Sequence, residues 1–322
     1  VMETCAFING PGVSQFAREL EAFSGANYVI PCANGTDAIQ VALMALDCQP
    51  GDEVIVPVWT YVATAEVIAL LKLTPVFIEV DKDTFCIDVN LLESKITPKT
   101  KAIVPVHLYG QCADMEAIMK IANKHNIFVV EDTAQAIGAN YTFSDGTTKQ
   151  AGTIGHIGTT SFFPSKNLGG YGDGGAIFTN DEALAKKMKM IAHHGERIKY
   201  HHDVVGINSR LDTMQAVILS IKLKHLRTYE AARNAVADKY DQAFANHPKI
   251  KTPQRSKNSS HVFHQYTLTL CGVDRDALQK HLLEQGIPSM LYYPVPLHHQ
   301  LAYKHHHNPA DDFSISDSVA KT

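Results

Sequence analysis

Long apolar runs are missing from this sequence. Its hydrophobic stretches are short and broken by charge or proline, well under the ~20 residues that a membrane-spanning helix needs. There is no basic tail and no stretch in which Lys or Arg interleaves with aromatics, and the net charge is −4, so nucleic acid is not an expected partner. Cysteines are few and scattered (Cys5, Cys32, Cys48, Cys86, Cys112, Cys271), with no C-x-x-C pair. That usage fits reduced, mostly buried thiols in a cytoplasmic protein rather than a disulfide framework. No secretory leader pattern is visible. Histidine, by contrast, is abundant at 17 residues, with clusters at 193–194, 201–202, 298–299 and 305–307. None falls in an H-E-x-x-H or H-x-x-x-H spacing, and neighbours in sequence diverge on a helix or a strand, so no protein-encoded metal site is expected.

What is present is an ordinary globular composition, 45% hydrophobic and 19% charged over 322 residues, enough for a large domain and a smaller one. The first two-thirds alternates β-branched runs with helical periodicity. Strands are expected at 28–32, 53–57, 75–80, 101–107, 127–132, 159–163 and 174–179, and helices at 36–46, 60–71, 88–95 and 114–125. Val54-Ile55-Val56 and Phe128-Val129-Val130 are apolar on both faces, as central parallel strands are. The alternation predicts an α/β fold with a mostly parallel sheet covered by helices on both faces. Past Arg210 the pattern changes: long helices at 211–226 and 228–244, a polar stretch, a strand at 262–270 and a helix at 274–285. A large domain over 1–228 and a small C-terminal α+β domain over 229–322 are expected, with the change near 226–232. Both ends read as trimmed, since Val1 is no initiator and Lys321-Thr322 stops without a turn or cap.

In such sheets ligands bind beyond the carboxyl ends of the strands, and four stretches there carry chemistry. Lys166 follows an apolar strand and precedes a glycine-rich turn (Asn167 to Gly175). Partial desolvation there would make its amine a nucleophile toward aldehydes, although a lone lysine is more often a surface charge. Gly170, Gly172 and Gly175 have the G-x-G-x-x-G spacing but lead into a strand (Ala176-Ile177-Phe178), not a helix, so a dinucleotide site is set aside. Asp132 ends a buried strand, where its carboxylate would need a cationic partner such as a protonated pyridine nitrogen; a simple helix cap would look the same. Gln135, three residues on, could donate to the phenolic oxygen of such a ring. Ala33-Asn34-Gly35-Thr36-Asp37-Ala38 places free N–H groups at a helix start, an anion cradle or an ordinary cap. Tyr61 follows another strand and could stack on a flat cofactor or pack in the core.

An anion cradle, an aromatic, Asp-x-x-Gln and Ser-x-x-x-x-Lys, in that order, resemble the fold-type-I pyridoxal-phosphate (PLP) transferases. More narrowly, the blocks at 33–38, 50–57, 60–65, 107–114, 131–135, 161–180 and 206–215 resemble the DegT/DnrJ/EryC1/StrS sugar aminotransferases, over nearly the whole chain. The resemblance implies that Lys166 holds the cofactor covalently and moves the proton, Asp132 pairs with the pyridine nitrogen, Gln135 contacts the ring oxygen and Tyr61 stacks on the ring. It also implies that Gly35, Thr36 and Ser161 hold the phosphate together with Asn208 of a second subunit, making a homodimer with shared sites. His194, Arg210, Tyr292 and Tyr293 lie toward the sugar. Segments 32–40, 108–114 and 161–181 look most like the UDP-2-acetamido-2-deoxy-3-oxo-glucuronate aminotransferases of O-antigen synthesis, whose substrate has a carboxylate that Arg210 could bind. Those enzymes carry a His-Tyr pair where this chain has Tyr292-Tyr293.

The resemblance thus implies transfer of an amino group from an amino acid, glutamate, to a nucleotide-linked keto sugar, with pyridoxamine phosphate (PMP) as the intermediate cofactor form. A dTDP- or UDP-4-keto-6-deoxy sugar is the alternative substrate. The related PMP-dependent dehydratases carry histidine at the lysine position, which Lys166 argues against. A non-enzymatic regulator is the rival from another class, but no helix-turn-helix with a basic face is evident.

Overall fold

Residues 1–306 and 308–322 are described by a computed structural model; His307, part of the 305–307 cluster, lies outside them. The chain opens with helix α1 (Pro11–Ser24), then alternates β1 (Tyr28–Cys32), α2 (Gly35–Ala45), β2 (Glu53–Pro57), α3 (Ala63–Leu70), β3 (Thr74–Ile78), β4 (Thr100–Ile103), α4 (Met115–His125), β5 (Phe128–Asp132), β6 (Ile157–Ser161), β7 (Gly175–Thr179) and α5 (Glu182–Ala192). These strands form one seven-stranded sheet in the order β1-β7-β6-β5-β4-β2-β3. Only β7 runs against its neighbours; the remaining pairings are parallel. The expected α/β architecture is therefore present.

Alternation along β2 shows why two helical layers form. Val54 and Val56 pack into the cluster that holds residues of α2, α3 and α5. Ile55 points the other way, into a cluster with Met115 and Ile118 of α4. A third cluster joins Phe16 and Leu20 of α1 to Phe162, Phe178 and two residues, Ala216 and Leu219, of helix α6 (Thr213–Leu223). Helices α7 (Leu226–Phe244) and α8 (Arg275–Glu284) follow, and the chain ends in the short α9 (Ser314–Val319). Residues after 292 return to the sheet: Leu297 N–H donates to Val58 O, and Leu297, Tyr303 and Phe313 join the core beside Phe77.

The expected strand at 262–270 is mostly absent, and only Thr269–Leu270 pairs, with Ile250–Lys251. Its first half docks elsewhere. Val262 N–H donates to Gly110 O and Gln265 N–H to Tyr109 O, while His261 bridges to Gln111. A run of β-formers read correctly for composition thus became a connector, because a loop of the sheet domain offered its backbone partners first. The helix expected at 88–95 is a single turn, Val89–Leu92, followed by a 3-10 turn.

The carboxyl end of β5 is secured by Glu131, which is fully buried. It accepts from the backbone N–H groups of Gly152, Ile154 and Gly155 at 2.9, 2.7 and 2.6 Å, and lies 2.9 Å from His107 Nε2. Since His107 Nδ1 accepts from Ala113 N–H, the ring proton belongs on Nε2, facing the carboxylate. Removing Glu131 would orphan four buried donors. Glu131→Ala should cost about 3–5 kcal/mol of stability, measured by urea denaturation of the purified chain. A cost under about 1 kcal/mol, the worth of an average hydrogen bond, would mean that the network is not what holds this edge.

Candidate active site

Because six of the seven strands run the same way, their carboxyl ends meet along one edge of the sheet. That edge collects the residues singled out above. The first turn of α2 follows β1, Tyr61 and Thr64 follow β2, Asp132 ends β5 with Gln135 just after it, and Ser161 ends β6 with Lys166 just after it.

Asn34 caps α2, its side chain accepting from Asp37 N–H at 2.8 Å. The cap and the cradle are not alternatives here. Capping occupies Asp37 N–H and leaves the N–H groups of Gly35 and Thr36, in the first turn, without an intrahelical acceptor. Both point where an anion is favoured. Position 35 requires glycine, because a Cβ there would lie 2.7 Å from Ser161 Cβ. The two segments are that close, so a phosphate gripped by α2 is also within the reach of Ser161. Gly175, at the start of β7, is as crowded, since a Cβ there would lie 2.5 Å from the Asn34 backbone.

Asp132 is buried. Thr64 Oγ1 donates to its Oδ2 at 2.9 Å and Ala134 N–H to its Oδ1 at 3.0 Å. Among the described residues no basic side chain forms an ion pair with it. Lys166, half-buried, is the cation that feels it. Burial pushes the Lys166 amine below its ordinary value, and the Asp132 charge opposes that shift. An amine whose charged form burial disfavours and an oriented carboxylate thus lie together, the arrangement that amine-carbonyl chemistry needs.

Aromatic side chains wall the pocket. Gln135 Nε2 donates to Tyr293 Oη at 3.0 Å, and Gln135 Oε1 accepts from Tyr109 N–H at 2.7 Å. Trp59 Nε1 donates to Tyr109 Oη at 3.0 Å, and Tyr109 Oη donates to Tyr292 O. Burial pushes the Tyr293 phenol well above its usual range, and the Asp132 charge adds to that while the Gln135 hydrogen bond opposes it. Tyr61 itself is 58% exposed, at the mouth rather than in the core. Thr64, Trp59 and Tyr109 were not singled out in the sequence, since nothing in a Thr three residues past Tyr61 shows that it bonds a carboxylate 68 positions away. His264 was missed as well; its buried Nδ1 has no hydrogen-bond partner among the described residues, and Lys166 and Arg233 are among the charges acting on it.

His194, Asn208 and Arg210 are held apart from this group. They lie on one segment, pinned by His194 N–H to Ile207 O and by Ala33 N–H to Ser209 Oγ at 3.1 Å. Asn208 and His194 are exposed. Arg210 is half-buried, beside His193, and its Nε has no hydrogen-bond partner among the described residues. Among the described residues none of the three hydrogen-bonds to Lys166, Asp132 or Gln135.

Residues 1–322 match the DegT/DnrJ/EryC1/StrS aminotransferase family. The chain is 46% identical to a "Pleiotropic regulatory protein" of Geobacillus stearothermophilus, covering 99% of this chain and 86% of that one. It is 49% identical to the UDP-2-acetamido-2-deoxy-3-oxo-D-glucuronate aminotransferase of Pseudomonas aeruginosa, over 92% of this chain and 80% of that one. Among solved structures, ntda from Bacillus subtilis with bound cofactor PMP superposes with a TM-score of 0.90 at 34% identity, over 100% of this chain and 73% of that one.

The connector beside the pocket also sets an acid limit. Burial lowers His261 and His264 to about 3, helped by Arg255 for the first and by Lys166 and Arg233 for the second. Unfolded, each titrates near 6.5. Between about pH 6.5 and 3 the unfolded chain therefore binds more protons, and stability rises with pH. Lowering pH from 6.5 to 5.5 should remove up to about 1.4 kcal/mol per histidine, read from urea midpoints. His264→Gln should shrink that slope; an unchanged slope in the variant would contradict the buried neutral state.

Proposed function

The chain belongs to the DegT/DnrJ/EryC1/StrS aminotransferase family, and we propose that it transfers the amino group of L-glutamate to a nucleotide-linked 3-keto sugar, with PLP as cofactor. The observation that carries this reading is the Lys166 amine, half-buried and lowered in pKa opposite Asp132. The residues present suit PLP: the first turn of α2 packed directly against Ser161, with no room for a side chain at Gly35, and a buried Asp132 carboxylate with no ion pair among the described residues, left for the pyridine nitrogen.

Bound PLP supplies an electron sink for the carbon that gives up its proton. The protein does the rest. Gly35, Thr36 and Ser161 hold the phosphate, Tyr61 covers one ring face, and Gln135 directs its amide toward the ring oxygen. Thr64 and Ala134 N–H fix the direction of Asp132. Lys166 Nζ, lowered in pKa, would serve as the base that takes the proton from the glutamate Cα and holds it for return to the bound cofactor. His194, Tyr292 and Tyr293 line the side toward the sugar, and Arg210 meets its acidic group, leaving the bidentate contact to form with substrate. The named activity of the 49% identical relative supports a 3-oxo-glucuronate or a similar 3-keto sugar.

The working unit is a homodimer in which Asn208 of each subunit completes the other's phosphate site. Support comes from the exposure of Asn208 and from Met214, Val217 and Ile221, which form an exposed apolar stripe on α6. The regulatory name of the 46% identical relative favours a second reading, a non-enzymatic regulator.

One experiment addresses both the chemistry and the assembly. Adding glutamate to the PLP-loaded protein should abolish its visible absorbance, and a UDP-linked 3-keto sugar should restore it. Lys166→Ala should be dead and Asn208→Ala weak. Mixing and re-annealing them should recover about a quarter of wild-type sites, because one site of each mixed dimer receives both intact residues. A spectrum indifferent to glutamate would leave the regulator, and no recovery despite proven exchange would place Asn208 in its own subunit's site.

Arg210→Ala should lower kcat/KM for the sugar by about 2–5 kcal/mol, roughly 30-fold or more, and spare the glutamate half-reaction. Equal losses in both halves would make Arg210 a general active-site residue. Preference for 4-keto-6-deoxy sugars in a substrate panel would displace the 3-keto assignment.

A further inference from the structure

We propose that His298, His299 and Asp317 form a binding site for a first-row divalent cation of the zinc type, which clips α9 to the loop that follows Tyr292 and Tyr293. Neighbouring histidines diverge on a helix or a strand, but these two sit in a 3-10 turn, Leu297–His299. There the rings tilt together, with centroids 3.9 Å apart. Nε2 of His298 lies 3.1 Å and Nε2 of His299 2.8 Å from the same oxygen, Asp317 Oδ1. The three donor atoms all fall within 4.8 Å of one another. An ion bonded at 2.0–2.2 Å in tetrahedral geometry needs its donors about 3.4 Å apart. The two separations from Asp317 Oδ1 would meet that by widening a few tenths of an ångström, with the histidine nitrogens within 4.8 Å of each other.

Each donor is held from behind. His298 is buried, with its ring against Phe313 (4.7 Å), and its turn is tied to β2 by Leu297 N–H to Val58 O. Asp317 stands on α9, whose first turn is fixed by buried Glu79, which accepts from Ile315 N–H, Ser316 N–H and Ser316 Oγ. On the outer side His299 is 56% and Asp317 38% exposed, so water can complete the coordination. Two imidazoles and one carboxylate suit zinc, iron, nickel or copper, not the all-oxygen preference of magnesium or calcium. The turn begins four residues after Tyr293, which bonds Gln135. Occupancy would therefore stiffen the wall of the pocket without touching the reacting atoms.

The test uses the tag-free holoenzyme, stripped with EDTA and dialysed. Zinc should bind at one ion per chain and raise Tm by at least about 2–4 °C, and cobalt(II) should give the intense visible spectrum of a tetrahedral site. Loss of an outer-shell partner alone typically costs 10–100-fold in metal affinity, so losing a direct ligand in His299→Ala should weaken binding by more than about 100-fold. His299 is exposed, so this variant keeps the fold, which its unchanged PLP spectrum and Tm without zinc would verify. Asp317→Asn should behave likewise, while zinc binding by His202→Ala should match the wild type. If the wild type takes up no zinc, the trio is an ion pair only. Wild-type affinity in His299→Ala would place the ion elsewhere, at His305 or His306 for instance. Either result overturns the proposal.

Discussion

Placing a carboxylate inside the sheet edge is the constraint on which the rest of this molecule depends. Asp132 lies at the end of a central strand, where solvent contributes little to its orientation and protein dipoles must do so. Thr64 and the Ala134 N–H supply two of them. Its neighbour Glu131 points to the opposite face and is satisfied there by three backbone N–H groups and His107. Two consecutive buried acids thus have opposite uses, one consumed by the fold and one left facing Lys166. The strand alternation that separates them is what makes this division possible.

The pocket is assembled from segments distant in the chain, and its rigidity comes from bonds between them. Tyr109 links Trp59, Gln135 and Tyr292 through its hydroxyl and its backbone N–H. The connector 261–265 is laid along residues 109–111 by backbone bonds. The glycine-rich turn after Lys166 is held from outside by α6, where Gln215 accepts from Tyr171 N–H and Lys222 donates to Gly169 O. A lysine on such a turn has its backbone fixed and only its side chain free, a useful condition for a group that must move a proton between two atoms.

Much of this was legible in the chain. The runs at 28–32 and 53–57 became strands with the same bounds, because β-branched residues flanked by polar turns leave few alternatives. The four stretches after the strands were found because a parallel sheet places every such stretch on one edge. The run at 262–270 misled, since β-propensity describes a surface to be paired and not the partner that pairs with it. The meeting of His298 and His299 at Asp317 was not legible, as ring directions in a tight turn do not follow helix or strand periodicity.

The sequence by itself determined the alternating architecture, the edge on which ligands bind and the residues Lys166, Asp132 and Gly35 that stand along it, while Ser161 came from the family resemblance. Those follow from periodicity and from chain order, which are local properties. Only the tertiary structure decided that Thr64 orients Asp132, that Gln135 meets Tyr293, that burial lowers the Lys166 amine and that Asp317 receives two histidines. Each of these is a meeting of side chains from distant segments or a change of dielectric around one group. Both are set by packing, about which the order of residues along the chain carries no distance.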